Sequence, residues 1–329
     1  VTHAAAGAPF GLSEVAFWKA YWRTTRPYLG PVSGASGLVG LALAPSPSSG
    51  ALWSSLGVFV VAYGLGQALT DVFQTDTDAL SAPDRPLVAG TVGKAEVTGV
   101  SLAGLLACAA VLLVNNPESL ALSLLGVAGL ASYTYFKRRW WAGPPWNGAI
   151  VALLPVLGYL AGGGTFELAL REPRLWLATG AIFGSYAVFV LIGYLKDVEA
   201  DRAAGYTTLP VRFGRRTAVL ASACFSLVGV SCSAALVVPL VSPPASTTAV
   251  GCLLVWTFGV ASSLVAHGRG WFVARDDRAF PAIAWSVRSF VALHLAEATL
   301  VEPSFVAALP VGLVAFEILL ALRPDKRQI

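Results

Sequence analysis

Ten apolar runs, most of them close to the length of a membrane span, dictate what this chain can fold into. They lie at roughly 27–44, 51–73, 96–114, 118–136, 147–163, 174–195, 217–240, 246–266, 280–299 and 304–322. A bilayer crossing takes about 20 predominantly apolar residues. Open sheets are excluded in hydrocarbon, where every backbone group must find its partner inside the structure. The runs are rich in Leu, Ala, Val and Gly, and small residues let membrane helices approach closely. The expected fold is therefore all-α, a multi-span transmembrane bundle of nine to ten helices. The composition agrees, with 56% apolar and 12% charged residues and a mean hydropathy of +0.70. A soluble helical repeat is the poorer reading.

Charge placement orients the bundle. If all ten runs cross and the N-terminus is cytoplasmic, every Lys and Arg except Arg171, Arg174 and Arg288 falls on one side. That is a strong positive-inside bias, which puts the functional face inside; the expected location is a bacterial cytoplasmic membrane. The least apolar run, 280–299, contains Arg288, His294 and Glu297. It is expected to cross, because otherwise Arg323, Lys326 and Arg327 would land on the opposite side. Residues 1–26 mix Phe17, Trp18, Tyr21 and Trp22 with Lys19, Arg23 and Arg26, which suits an amphipathic interfacial segment. They lack the apolar core and cleavage site of a signal peptide, so insertion is expected to rely on the chain's own spans. Residues 27–322 then form one bundle, and 323–329 a cytoplasmic tail. The basic residues are scattered over loops, so the net charge of +4 is no argument for nucleic acid. Cys108, Cys224, Cys232 and Cys252 fall in apolar runs and read as small buried residues.

Two acidic stretches interrupt this pattern, both on the cytoplasmic side. Thr70–Gly90 carries Asp71, Asp76, Asp78 and Asp84. Lys196–Arg202 carries Asp197, Glu199 and Asp201. At about 100° per residue, Asp71 and Asp78 lie within about 20° of each other on a continuous helix, with Gln74 about 60° away. Asp197 and Asp201 are about 40° apart. Asp76 joins the first set only if the helix breaks at Thr75. The expected working set is Asp71, Gln74 and Asp78 against Asp197 and Asp201. Carboxylates grouped at a membrane edge repel one another unless neutralised, and Mg²⁺ takes a few carboxylates plus phosphate oxygens. The same ion assists departure of a diphosphate as a Lewis acid. Arg85, Lys137 and Arg202 are placed to pair with phosphate oxygens. The bland alternative is a set of solvated loop charges. The segment from Asp78 to Gly90 also resembles the one from Asp201 to Gly214, a short, gapped repeat compatible with two related halves.

These clusters resemble the aspartate-rich motifs of the UbiA superfamily of intramembrane prenyltransferases. The likeness rests on P-D-R-P-L at 83–87, K-D-V-E-A-D-R-A-A-G-Y-T-T-L-P-V at 196–211, and Tyr133 four residues before Lys137 with Asn147 opening the next helix. It runs from about residue 67 to 214. The resemblance implies a bundle, usually of nine spans, around a central cavity, with a prenyl diphosphate held through Mg²⁺ between the two motifs. Ionisation would release an allylic carbocation to a lipophilic, often aromatic, acceptor within membrane lipid. Asp78, Asp197 and Asp201 match motif acids, and Asp71 stands at the head of the first motif. Lys137 matches a diphosphate-contacting lysine, with Arg85, Tyr133, Lys196 and Arg202 as further contacts. The first motif departs from the family pattern, with Thr70 in place of Asn and Gln74 in place of the middle Asp, so one negative charge is lost. A terpene cyclase built on the same ionising site is an alternative, and a transporter or lipid-binding protein is one from another class.

Other residues carry weaker signals. His294 and Glu297 share a helical face, which reads as an interhelical polar contact ahead of a functional pair. Trp140, Trp141 and Trp146 suit an interface belt. His3 and His267 read as solvated, and no Cys/His spacing suggests zinc. Gly162-Gly163-Gly164 reads as a helix-ending turn.

Overall fold

The computed structural model describes residues 8–241 and 246–323. His3, Lys326, Arg327 and the tail beyond Arg323 lie outside the described residues. The chain opens with α1 (Val15–Thr25), which buries Phe17, Ala20 and Tyr21 and exposes Trp18, Lys19, Trp22 and Arg23. The interior helix α2 (Gly30–Leu43) follows. Then comes α3 (Ser49–Val72), whose first turn is capped by the Ser48 hydroxyl accepting from the Ala51 N–H. After α3 come α4 (Thr75–Ser81), α5 (Lys94–Asn115) and α6 (Ser119–Lys137). The run at 147–163 divides into α7 (Gly143–Val151) and α8 (Leu153–Ala161). Pro155 has no N–H to give the Val151 carbonyl, so the helical ladder breaks there. Next are α9 (Phe166–Arg171), α10 (Pro173–Gly193), α11 (Val198–Ala203) and α12 (Leu209–Phe213). The chain ends in α13 (Arg215–Val237), α14 (Thr247–Trp271), α15 (Phe280–Val301) and α16 (Ala308–Ala321).

Every one of the ten apolar runs is helical, and the described residues contain no strand. Eight helical segments are long and apolar enough to cross a membrane. The protein is an integral membrane protein. The two remaining runs are α2, of 14 residues, and α15, of 22 residues. Their lower apolar length or content has a packing reason. Every residue of α15 from Ser289 to Leu300 is buried, against α14, α2 and α10. A helix enclosed by other helices meets no lipid, so His294 and Glu297 sit in protein instead of hydrocarbon.

The two acidic stretches share a local fold that continuous-helix geometry did not anticipate. α3 tightens at its end, with Phe73 N–H bonded to Thr70 O and Gln74 N–H to Asp71 O. Gln74 then leaves the helical region, at φ −118° and ψ 13°, and α4 starts afresh. α10 likewise narrows into a 3₁₀ turn at Tyr194–Lys196, and Asp197 sits at φ −120° and ψ 12° before α11. Four residues after each break stands an acid in a helical first turn, Asp78 and Asp201, where the helix dipole favours it. The short helices α4 and α11 touch each other, which closes the two stretches over one end of the bundle.

Candidate active site

A cavity of about 210 Å³ runs into the bundle between α3, α5, α6, α8 and α10. Its inner walls are apolar and include Val58, Phe59, Leu105, Leu112, Leu154 and Leu157. Its mouth is made of acids and bases in pairs. Arg26 Nη2 donates to Asp71 Oδ2 at 2.7 Å, and Arg85 Nη1 lies 2.5 Å from Asp78 Oδ2. Lys196 Nζ donates to both Asp197 oxygens, at 3.1 and 2.8 Å. Lys137 Nζ links the two motifs. It donates to Gln74 Oε1 at 2.8 Å and stands 3.5 Å from Asp201 Oδ1. It also lies over the Tyr194 and Tyr206 rings, 5.6 and 5.5 Å from their centroids. Above it, the Tyr133 and Tyr194 hydroxyls are 3.0 Å apart.

Burial and these partners set the acids apart electrostatically. Burial pushes the Asp197 carboxyl up, but Lys196 and Lys137 outweigh it and hold the group down at about 2. Asp201 is fully buried, and desolvation lifts it to about 6 despite the neighbouring Lys137. Burial also raises Asp78, opposed chiefly by Arg85. Asp201 Oδ2 accepts from Thr208 at 3.3 Å, whereas Oδ1 has no hydrogen-bond partner.

The structure therefore gathers Asp71, Gln74, Asp78, Arg85, Tyr133, Lys137, Lys196 and Asp197 on the cavity wall. Asp201 lies just behind Lys137. Arg202 goes elsewhere. It is exposed and held by Glu199 Oε2 at 2.6 Å, because α11 turns positions 199 and 202 outward. Asp76 stays outside the cavity even though the helix breaks at Gln74. It accepts from Arg138 at 3.1 Å and Tyr206 at 2.9 Å, a tie between the motif loops. Sequence reasoning passed over Arg26, which it grouped with the polar lead. The available signal was position, since Arg26 directly precedes Pro27 and the first apolar run. Gln67, one turn before Asp71 and bonded to it at 2.7 Å, was also missed.

Oxygen donors from two loops suit a hard divalent cation, and the buried Asp201 Oδ1, met only by the long 3.5 Å ionic contact from Lys137, has lone-pair capacity to spare for one. Among the described residues, however, no three Asp, Glu, His or Cys side chains already converge as a metal set. The carboxylates sit on their bases instead.

Residues 33–270 match the model of the UbiA prenyltransferase family. A digeranylgeranylglyceryl phosphate synthase from Natronomonas pharaonis is 33% identical over 175 residues, 52% of this chain and 60% of the relative. Its counterpart from Halobacterium salinarum is 32% identical over 196 residues, 58% of this chain and 64% of the relative. The matched stretch thus spans less than two thirds of these relatives. Among solved structures, an apo UbiA homologue from Aeropyrum pernix superposes with a TM-score of 0.64 at 20% identity, covering 94% of this chain and all of its own. A UbiA homologue from Archaeoglobus fulgidus bound to GPP and Mg²⁺ gives 0.62 at 19% identity, covering 85% and 99%. With the matched model covering most of the bundle and both acidic stretches, this chain belongs to the UbiA prenyltransferase family.

Proposed function

We propose that the protein is a Mg²⁺-dependent intramembrane prenyltransferase. The observation that carries this reading is the cavity itself, with paired acids and bases at its mouth and apolar walls behind. The mouth suits a metal-bound diphosphate and the walls suit an isoprenoid tail. Arg85, Lys137 and Lys196 would hold diphosphate oxygens, Tyr133 would help position them, and Asp71, Gln74, Asp78, Asp197 and Asp201 would hold the cation. Magnesium, when bound, supplies charge neutralisation and Lewis-acid assistance. The allylic C–O bond then breaks with its electron pair leaving on the diphosphate. An acceptor oxygen donates a lone pair to the allylic carbon and gives its proton to the departing diphosphate.

The archaeal relatives favour a lipid glycerol phosphate as acceptor over an aromatic ring. A smaller cleft beside the mouth supports this, lined by Arg23, Thr24, Arg26 and Arg85 together with Asp71 and Asp78. Arg85 borders both this cleft and the cavity mouth, and its buried Nε has no hydrogen-bond partner. The basic residues that border the site favour a cytoplasmic mouth, with residues 1–26 as an interfacial segment, 27–322 as one bundle and 323–329 as a tail.

The test uses purified protein in lipid nanodiscs with Mg²⁺ and allylic diphosphates of ten, fifteen and twenty carbons, with and without a glycerol phosphate ether. Acceptor-dependent diphosphate release is expected, and Asp78→Ala and Asp197→Ala should each lower it about 100-fold or more. Release that survives both substitutions would refute the assignment. A cyclic product formed without acceptor would replace transfer by cyclisation.

A further inference from the structure

Among the described residues, Arg26 is the one non-glycine with a left-handed backbone, at φ 49° and ψ 60°. L-residues other than Asn and Asp rarely adopt this conformation, and residues kept in it cluster at functional sites. It ends α1 and turns the Arg26 guanidinium inward, away from exposed Lys19 and Arg23. The side chain is 10% exposed. Its Nη2 takes Asp71 Oδ2 at 2.7 Å, and Gln67 Nε2 takes Asp71 Oδ1, also at 2.7 Å. Both oxygens of the leading first-motif acid are therefore engaged by protein donors. Gln74, the next oxygen along, is neutral and already accepts from Lys137. Asp78, the remaining acid, is paired with Arg85, so a divalent cation arriving alone at this half finds no unpaired carboxylate and must break a buried ion pair, which is costly.

We propose that Arg26 gates this half of the site: it holds Asp71 away from metal until a diphosphate is present, then passes its guanidinium to the diphosphate and frees the carboxylate. The gate rests on the diphosphate reading given above. A guanidinium pairs with phosphate oxygens as readily as with a carboxylate. An incoming metal-bound diphosphate thus brings a replacement partner for Arg26 together with a cation for Asp71, and no charge is left unpaired in the exchange. A bare cation brings only the second. Metal and diphosphate consequently raise each other's affinity, a coupling that must be reciprocal. Metal alone is kept out of a site that would otherwise collect it unproductively.

The test is a pair of binding measurements on protein in nanodiscs. Mn²⁺ binding in the absence of diphosphate is followed by the electron paramagnetic resonance of free Mn²⁺. Retention of radiolabelled inorganic diphosphate with Mg²⁺ is measured by equilibrium dialysis. Arg26→Gln is expected to bind Mn²⁺ alone about tenfold more tightly and Mg²⁺-diphosphate about tenfold more weakly, within the usual range of coupling between sites. A purely structural arginine would weaken both, so opposite signs are the signature of the gate. Unchanged or weakened Mn²⁺ binding in Arg26→Gln, with the native protein still retaining Mg²⁺-diphosphate, overturns the gate alone. A native protein that retains no Mg²⁺-diphosphate overturns the diphosphate reading beneath it. If Arg26→Gln does not fold, Gln67→Leu releases only Asp71 Oδ1 and should tighten Mn²⁺ binding about threefold; no tightening there also overturns the gate.

Discussion

Placing a single methyl group at Gly40 tests whether the cavity wall is held by backbone-to-backbone packing. α2 and α8 cross so closely that a Cβ at Gly40 would lie 2.6 Å from the Pro155 carbonyl carbon and 2.8 Å from its Cα, and nearer still to the carbonyl oxygen. Ordinary contact begins at 3.4 Å, so the two helices must part by more than half an ångström. No rotamer change relieves the clash, because the obstacle is backbone. Overpacking of this kind costs about 1–3 kcal/mol, and a rigid obstacle places Gly40→Ala near the upper figure, about a hundredfold in the folding equilibrium. The displaced α8 carries Leu154 and Leu157, both on the cavity wall, so the tail-binding space changes with it. Gly57→Ala in α3 is the matched control. A Cβ there meets nothing within 4 Å, and Ala is favoured over Gly in a helix by up to about 1 kcal/mol. Thermal unfolding in detergent, read by the loss of the monodisperse chromatographic peak, should give Gly40→Ala a midpoint well below the native protein and Gly57→Ala one at or above it. Equal midpoints for the two variants would refute close helix packing at this crossing.

Gln74→Asp adds a carboxylate beside Lys137 and is expected to preserve or strengthen Mn²⁺ binding; a large loss of affinity in a folded variant would place position 74 away from the metal. Asp201 should make stability depend on pH in the direction opposite to Asp197. Folding raises the Asp201 carboxyl from 3.8 to about 6, so the fold favours its protonated form and loses stability as pH climbs between those values, by up to about 3 kcal/mol. Asp201→Asn should therefore be more stable than the native protein at pH 7 and equal to it below about pH 4, as checked by thermal midpoints across that range. Asp197, lowered from 3.8 to about 2, stabilises the fold above pH 4 and loses that contribution as pH falls toward 2. Glu297 accepts from Ser233, and its other oxygen lies 2.7 Å from His294 Nδ1, all three side chains buried. Glu297→Ala strands His294 Nδ1 and leaves the Ser233 hydroxyl proton without its acceptor, although Ser233 Oγ still accepts from Trp256; it should cost about 3 kcal/mol, whereas Glu297→Gln should cost less than half of that, and similar losses in detergent unfolding would show that the pair is not what holds α15.

Much of this architecture is legible from residue pattern alone, because a bilayer leaves few options. Apolar length located ten helical runs, one of them divided into α7 and α8, and Asp71, Gln74, Asp78, Arg85, Tyr133, Lys137, Lys196 and Asp197 line one cavity. What pattern could not show is where the chain departs from regularity. Angular arithmetic put Asp71 and Asp78 on one helix face, yet a break at Gln74 separates them. Both still reach the cavity because α4 folds back across its mouth. Adjacency in the chain kept Arg202 with its cluster, but α11 is too short and too exposed on that side to turn Arg202 inward. The low hydropathy of 280–299 read as a weak crossing, since composition cannot tell a helix facing lipid from one enclosed by other helices. Arg26 had only its position before Pro27 to mark it, because a left-handed turn at a single residue has no periodicity to betray it.

The two breaks carry the deepest regularity in the site. Gln74 and Asp197 occupy the same backbone conformation, and each is followed four residues later by a buried acid, Asp78 and Asp201. The halves are therefore equivalent in backbone and unequal in charge, since one break residue is a carboxylate and the other an amide. Each half compensates in its own way. At the second, Lys196 neutralises Asp197 from the adjacent position in the chain. At the first, the charge missing from position 74 leaves Asp71 as the acid one turn earlier, and its partner is drawn from outside the repeat, from the end of α1. Lys137 answers to both halves, giving a hydrogen bond to the amide and an ionic contact to Asp201. The mouth is thus balanced pair by pair without a cation, which is the condition under which metal and diphosphate must enter together.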